Sequence, residues 1–317
     1  MKNLFIINNT AGGGRQTVEL LPEIEAYFAA NGGDYAIEFT HGSGDATVIA
    51  RRYAELGEPV RIFACGGDGT LHEVLCGVVG YDNVELGAFP CGTGNDYVAT
   101  YGDRDRFLSV GDQVGGTAVE VDIIKAGEHY VLNQCSMGFD AAVANNVTHF
   151  KGKKLINGSM AYLLAVAKTL FGQMSNHLEI AIDDGEPFEG DFMFAISAKG
   201  KYHGGGMMSA PQAWPASRTL NFMIVRKVTK PQLLGLLPKY IKGRHLEIEN
   251  LVINRFGSKM RVKAERELPG TLDGEIVFAK EFVSELMPAA LKFVLPGDLA
   301  QRFDRNQKVK ELATAAK

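Results

Sequence analysis

The sequence predicts an α/β fold with a mainly parallel sheet for residues 1–122, followed by a second domain. Three observations carry this. Strand-like apolar runs alternate with helical stretches from Leu4 to Asp96, the pattern of a parallel sheet covered on both faces. Each run ends in a Gly-rich loop, and in such a sheet every strand-to-helix loop leaves at the same edge. At 317 residues the chain exceeds one small domain and suits two.

The first strand is Leu4-Phe5-Ile6-Ile7. The loop Asn8 to Gln16, with Gly12-Gly13-Gly14, leads to a helix from about Thr17 to Ala30. The second strand, Tyr35 to Phe39, passes through Thr40-His41-Gly42-Ser43-Gly44 into a helix from about Asp45 to Leu56. The third, Val60 to Cys65, passes through Gly66 to Thr70 into a helix with Leu71, Val74, Leu75, Val78 and Val79 on one face. The fourth, Val84 to Pro90, ends in Cys91-Gly92-Thr93-Gly94-Asn95-Asp96. Four such loops at one edge can each aim backbone N–H groups and a helix N-terminus at an anion, so a polyphosphate ligand is inferred.

Bulk properties narrow the function. Hydrophobic residues make up 46% and charged residues 22%, ordinary for a soluble globular protein. The net charge of −4 gives no global attraction to nucleic acid or anionic lipid, so membrane contact would need a local patch. Cys65, Cys76, Cys91 and Cys135 form no C-x-x-C pair and read as reduced, mostly buried thiols. The apolar run after Met1 is too short for a secretory signal, and no stretch approaches a membrane span. A cytoplasmic protein is expected, with peripheral visits to a membrane.

In chemical terms Gly66-Gly67 lets backbone approach phosphate without a Cβ clash. Asp68 stands where it can cap the helix or help hold a cation, and Thr70 can cap or donate to phosphate. A capped helix explains one polar residue; it does not explain three flanking glycines. Pro90 ends its strand, Gly92 and Gly94 open the turn, and Asn95-Asp96 start a helix.

Gly66 to Val74, Pro90 to Asp96, Val121-Asp122, Ser136 to Ala141, Gly204-Gly205-Gly206-Met207 and Asp273-Gly274-Glu275 stand in one order along the chain. In that order they resemble the soluble bacterial lipid kinases of the diacylglycerol kinase catalytic-domain family, a group that includes sphingosine and ceramide kinases. The resemblance implies a β-rich, sandwich-like C-terminal domain over residues 123–295 and an active site in the interdomain cleft. It also implies a terminal segment, about 296–317, that packs back on the first domain through Leu299, Phe303 and Leu312. Strand-like runs at Glu120–Ile124, His129–Leu132, Phe192–Ile196, Leu220–Val225 and Leu251–Ile253 agree with it.

Residue by residue, the resemblance implies nucleotide contacts at Asn8, Thr10, Gly12, Thr40, Gly66, Gly67, Asp68, Gly69, Thr70, Glu73, Thr93 and Asn95. ATP and Mg²⁺ are the implied cofactors, with Asp68, Asp96 and Asp122 as direct or water-mediated metal carboxylates. Glu275 is the first choice for general base and Asp273 the second, with Asp68 completing the catalytic set. A lipid alcohol is the implied acceptor, diacylglycerol first, in phospholipid biosynthesis. No nucleic-acid partner is expected, and a homodimer is left open.

Three places depart from the family pattern. Asn8-Asn9-Thr10-Ala11-Gly12 stands where Asn-Pro-x-Ser-Gly is usual, His72 and Cys76 stand where asparagines are common, and Ser217-Arg218 stands where Asp-Gly is common. A metal beside Arg218 would meet like charge, so no second-domain metal site is expected there. Two apolar helical stretches with basic ends follow the first domain: Leu155 to Phe171 after Lys151, Lys153 and Lys154, and Pro231 to His245 with Lys242 and Arg244. Either covers the sandwich or touches a lipid surface. The rival readings are another Gly-Gly-Asp-Gly-Thr kinase, such as an NAD kinase or a phosphofructokinase, and a nucleotide-binding relative with a regulatory role and no turnover.

Overall fold

The structure, a computed structural model, describes residues 1–148, 165, 168–169 and 174–304. The chain divides into two compact units. One comprises Met1–Ile123, Trp214–Ser217 and Met287 onward; the other comprises Ile124–Ala213 and Arg218–Leu286.

In the first unit β1 (Lys2–Ile7) leads to α1 (Arg15–Asn31), β2 (Tyr35–Phe39) to α2 (Asp45–Ala54), and β3 (Val60–Gly66) to α3 (Asp68–Val78). Next come β4 (Val84–Pro90) and two short helices, α4 (Asp96–Ala99) and α5 (Val110–Val114). The pairs β1–β2, β1–β3 and β3–β4 are all parallel. Strand β3 is almost wholly buried, as a central parallel strand must be, whereas β2 is an edge with Tyr35 and Phe39 exposed. Phe5, Phe63 and Phe89 from three adjacent strands meet with ring centroids 4.9 to 5.9 Å apart. The buried face of α3 holds Leu71, Val74, Leu75 and Val78; Val79 already has extended backbone and caps the helix.

Strand β5 (Thr117–Ala126) carries the chain onward. The second unit adds β6 (His129–Val131), β7 (Gln134–Gly138), α6 (Phe139–Thr148), β8 (Asn176–Ile182), β9 (Phe188–Ala198) and β10 (Leu220–Arg226). Then follow α7 (Lys230–Ile241), β11 (Val252–Gly257), β12 (Lys259–Leu272) and β13 (Glu275–Leu295). The pairs within this unit are antiparallel. Pairing runs from β8 to β9, β7, β12 and back to β8, with long β9 and β12 changing partners along their length. Alternation along β10 sends Phe222 and Ile224 into a core with Leu178, Ile180, Met260 and Val262. Met223 and Val225 point the other way, into a layer with Leu233, Leu236 and Tyr240 of α7.

The late part of β13 belongs to the first unit, where Phe293 pairs in parallel with Leu86 of β4. Leu299 and Phe303 are buried, and Phe303 stacks on Trp214 at 5.2 Å. The segment grouped with the first unit thus starts at Met287, earlier than the 296 read from the sequence. Leu312 and, apart from Ala165, Lys168 and Thr169, the stretch from Leu155 to Phe171 lie outside the described residues. Cys65, Cys91 and Cys135 are buried and all four thiols are free. No helix among the described residues is long and apolar enough to cross a membrane.

Candidate functional site

The start of α3 is the centre of the site. Its N-cap is Gly67, in extended backbone, and no side chain caps it. The orphan N–H groups of a first turn therefore face outward with the helix's positive end. Of the two roles open to Asp68 and Thr70, capping α3 is thus not the one they take. The backbone around this turn is packed too closely for side chains. A Cβ on Gly92 would strike Gly67 Cα, and one on Gly12 would strike the Cys91 carbonyl oxygen. Three loops, 8–14, 66–70 and 91–95, are thus in backbone contact, while nothing lies within 4 Å of a Cβ built on Gly69.

Polar side chains fix these loops to one another. Asn8 donates from Nδ2 to Thr70 Oγ1 at 3.1 Å and accepts at Oδ1 from Thr10 N and Oγ1, at 3.1 and 2.8 Å. Asp68 accepts from Asn95 N at 2.6 Å, so it braces the neighbouring loop. Burial first, and then the nearby Asp96 carboxylate, push its carboxyl up to about 6. Asn95 has φ 57, the left-handed region. Its Nδ2 donates to Gly92 O and Pro90 O, at 2.7 and 3.2 Å, and its Oδ1 accepts from Gly92 N. That amide holds the turn. Glu73 accepts from Ala46 N at 3.2 Å and Ser43 Oγ at 3.4 Å, tying α3 to the start of α2. Thr40 is buried with its N–H on Ile7 O, and Thr93 is exposed. Arg104, which the sequence reading missed, donates to Pro90 O at 2.9 Å and brings an exposed guanidinium to this loop. No motif marks it; only the fold brings it back to Pro90.

The three candidate metal carboxylates are not gathered. Among the described residues no three His, Cys, Asp or Glu side chains group to hold an ion. Asp122 is fully buried and accepts from Ala289 N at 2.9 Å, where Ala289 has φ 51, so its job is to hold a kink in β13. Asp68 and Asp96 remain. Mg²⁺ ordinarily takes one or two carboxylates plus phosphate oxygens, so the donor set fits an ion that arrives with a nucleotide. The raised carboxyl of Asp68 also fits, because a cation beside it restores its charged form.

In the second unit Asp273 (φ 50) and Gly274 (φ 99) make the two-residue turn between β12 and β13, with Leu272 paired to Glu275. Asp273 accepts from the N–H groups of Leu132, Asn133 and Gln134 at 2.7, 2.9 and 3.1 Å. Its carboxylate is an anchor, not the solvated acid of an ordinary turn, and it is poorly placed to act as a base. Glu275 is exposed, and its side chain makes no hydrogen bond or ion pair among the described residues. At the turn before β10, Arg218 has φ 57, a conformation glycine adopts without cost, and the buried Lys199 ammonium donates to Thr219 O at 2.9 Å.

A family model for the diacylglycerol kinase catalytic domain matches residues 2–126, and one for the YegS C-terminal NAD kinase beta sandwich-like domain matches residues 133–295. The Bacillus subtilis (strain 168) diacylglycerol kinase is 27% identical over 309 residues, covering 96% of this chain and 100% of that protein. Two crystal structures of Bacillus anthracis str. Sterne proteins share the fold. One has a TM-score of 0.72 at 23% identity, over 92% of this chain and 94% of the other. The second, named as a diacylglycerol kinase, has a TM-score of 0.66 at 20% identity, over 92% and 96%. With both domains matched in order and the glycine loops closed around α3, the chain belongs to the diacylglycerol kinase catalytic-domain family of lipid kinases.

Proposed function

We propose that this protein transfers the γ-phosphoryl group of ATP to the hydroxyl of a lipid alcohol, with diacylglycerol the first acceptor to test. One observation carries the reading: the uncapped N-terminus of α3, set among three glycine loops in backbone contact. The N–H groups of that turn would hold phosphate oxygens, Asn8 keeps Thr70 in place, and Asp68 with Asp96 would hold the metal that accompanies the nucleotide. Bound Mg–ATP supplies the phosphoryl group and neutralises its charge. Glu275 takes the proton of the acceptor hydroxyl, and Asp273 positions the turn that presents it. The setting is the cytoplasmic face of lipid metabolism.

The test is transfer from γ-labelled ATP to a lipid panel in mixed micelles, with NAD as a further acceptor. Label on a lipid alcohol and none on NAD is expected. Asp68→Asn should abolish transfer, and Glu275→Gln should lower kcat by about 10²-fold or more while sparing ATP binding. Label on NAD alone, or ATP binding without any transfer, would sink the proposal. Full activity in both variants would overturn the residue roles.

A further inference from the structure

We propose that the outward face of α7 docks on the surface of an anionic lipid bilayer; its use in delivering acceptor rests on the lipid-kinase reading above. The helix is fixed at its start by a reciprocal cap, with Thr229 N donating to Gln232 Oε1 at 2.8 Å and Thr229 Oγ1 accepting from Gln232 N. Its inner stripe, Leu233, Leu236 and Tyr240, is buried in the second unit's helix-covered layer. A helix on a soluble core should be polar on the other side. Here that side is apolar: Leu234 is 68% exposed and Ile241 45%, with Pro231 and Pro238 exposed between and beside them. At 100° per residue these four fall within an arc of about 80°.

Charge says what the face meets. The helix contains no Asp or Glu, and Lys230 and Lys242 flank its two ends. From Arg226 to Glu249 there are six Lys or Arg against two Glu, a local positive surplus in a chain whose net charge is −4. Two of the acids nearby are already engaged. Glu247 pairs with Arg244 at 2.7 Å and with Lys239 at 3.7 Å, and Asp191 pairs with Lys227 at 2.9 Å. An apolar stripe between cationic ends is the composition of a helix lying in the headgroup layer, with lysine stems reaching past the apolar residues to lipid phosphate. A second copy of the same face would set lysines against lysines, so charge disfavours self-association.

Sedimentation of the full chain with vesicles tests this. Binding to phosphatidylcholine vesicles containing phosphatidylglycerol is expected, weaker in phosphatidylcholine alone and weakened by salt. The double variants Leu234→Asp/Ile241→Asp and Lys230→Glu/Lys242→Glu should each lower that binding by about tenfold or more. Because these side chains are at the surface, unchanged thermal melting shows that the variants fold. Phosphorylation of diacylglycerol held in vesicles should fall in step, while phosphorylation of a short-chain diacylglycerol in detergent micelles stays unchanged. Loss of vesicle binding in the variants supports the docking face even if no lipid is phosphorylated, an outcome that would count only against the kinase reading. Vesicle binding unchanged in both variants would overturn the proposal. So would a dimer in the parent that the Leu234→Asp/Ile241→Asp variant splits, since the face would then belong to self-association.

Discussion

Asn95 and Asp68 were picked out as ligand contacts, yet each also serves as internal scaffolding: one holds a left-handed turn, the other braces that turn's backbone. A glycine loop needs such bracing, because glycines supply no side-chain contacts of their own. His245 shows the opposite case, a polar side chain with nothing to hold. It is fully buried against Tyr240, 4.9 Å between ring centroids, and neither ring nitrogen has a hydrogen-bond partner. Burial therefore lowers its basicity from 6.5 to about 4. The unfolded chain protonates this ring below pH 6.5 and the folded one only near 4, so acid favours the unfolded state across that window. Stability should fall as pH drops from 6.5 to about 4, by on the order of 3 kcal/mol from this residue. Urea unfolding at both ends of the window checks it. A His245→Leu variant should lose that part of the pH dependence, and an unchanged slope would refute the assignment.

Among the loops, the close approach of Gly67 and Gly92 separates a tight backbone cradle from a set of loose turns. Gly92 does not need a left-handed backbone, so Gly92→Ala tests the approach alone. The added methyl meets Gly67 Cα and lies 3.0 Å from Asn95 Oδ1. Overpacking of this kind costs about 1–3 kcal/mol. The variant should melt earlier and raise the KM for ATP more than it lowers kcat; equal affinity for ATP would show that the loops need not touch. The cradle was legible in the sequence because a strand followed by clustered glycines has few other uses. Strands β8, β12 and β13 were not. In β12 Met260, Val262 and Ala264 alternate with charged neighbours, but a register shift between Lys263 and Leu268 and the breaker Pro269 interrupt the period. Asp122 was legible as an acid but not as the partner of Ala289, since nothing local links residues so far apart.

The division of the chain carries a consequence that a reading in continuous segments misses. The first unit is assembled from three stretches, and the chain passes between units at 123/124, 213/214, 217/218 and 286/287. The sequence reading set the first domain at 1–122 with a tail from 296, because strand periodicity cannot show that β13 supplies residues to both units or that Trp214 is inserted from mid-chain. Those late residues are structural. Phe293 continues the parallel sheet beside Leu86, and its ring stacks on Tyr101 at 5.7 Å. Trp214, the single tryptophan, is packed on Phe303 and Tyr101. A fragment ending at Ile123 would expose the β4 edge and the Tyr97–Tyr101 pair that these rings cover. We expect that fragment to show no cooperative urea transition by circular dichroism, although it contains all three loops of the cradle. In the full chain Phe303→Ala should cost about 3–5 kcal/mol and shift Trp214 emission to the red, because the lost ring leaves the indole open to water. A fragment that unfolds cooperatively on its own would mean that the parallel sheet closes without its last strand, and the glycine cradle could then be studied apart from the rest of the chain.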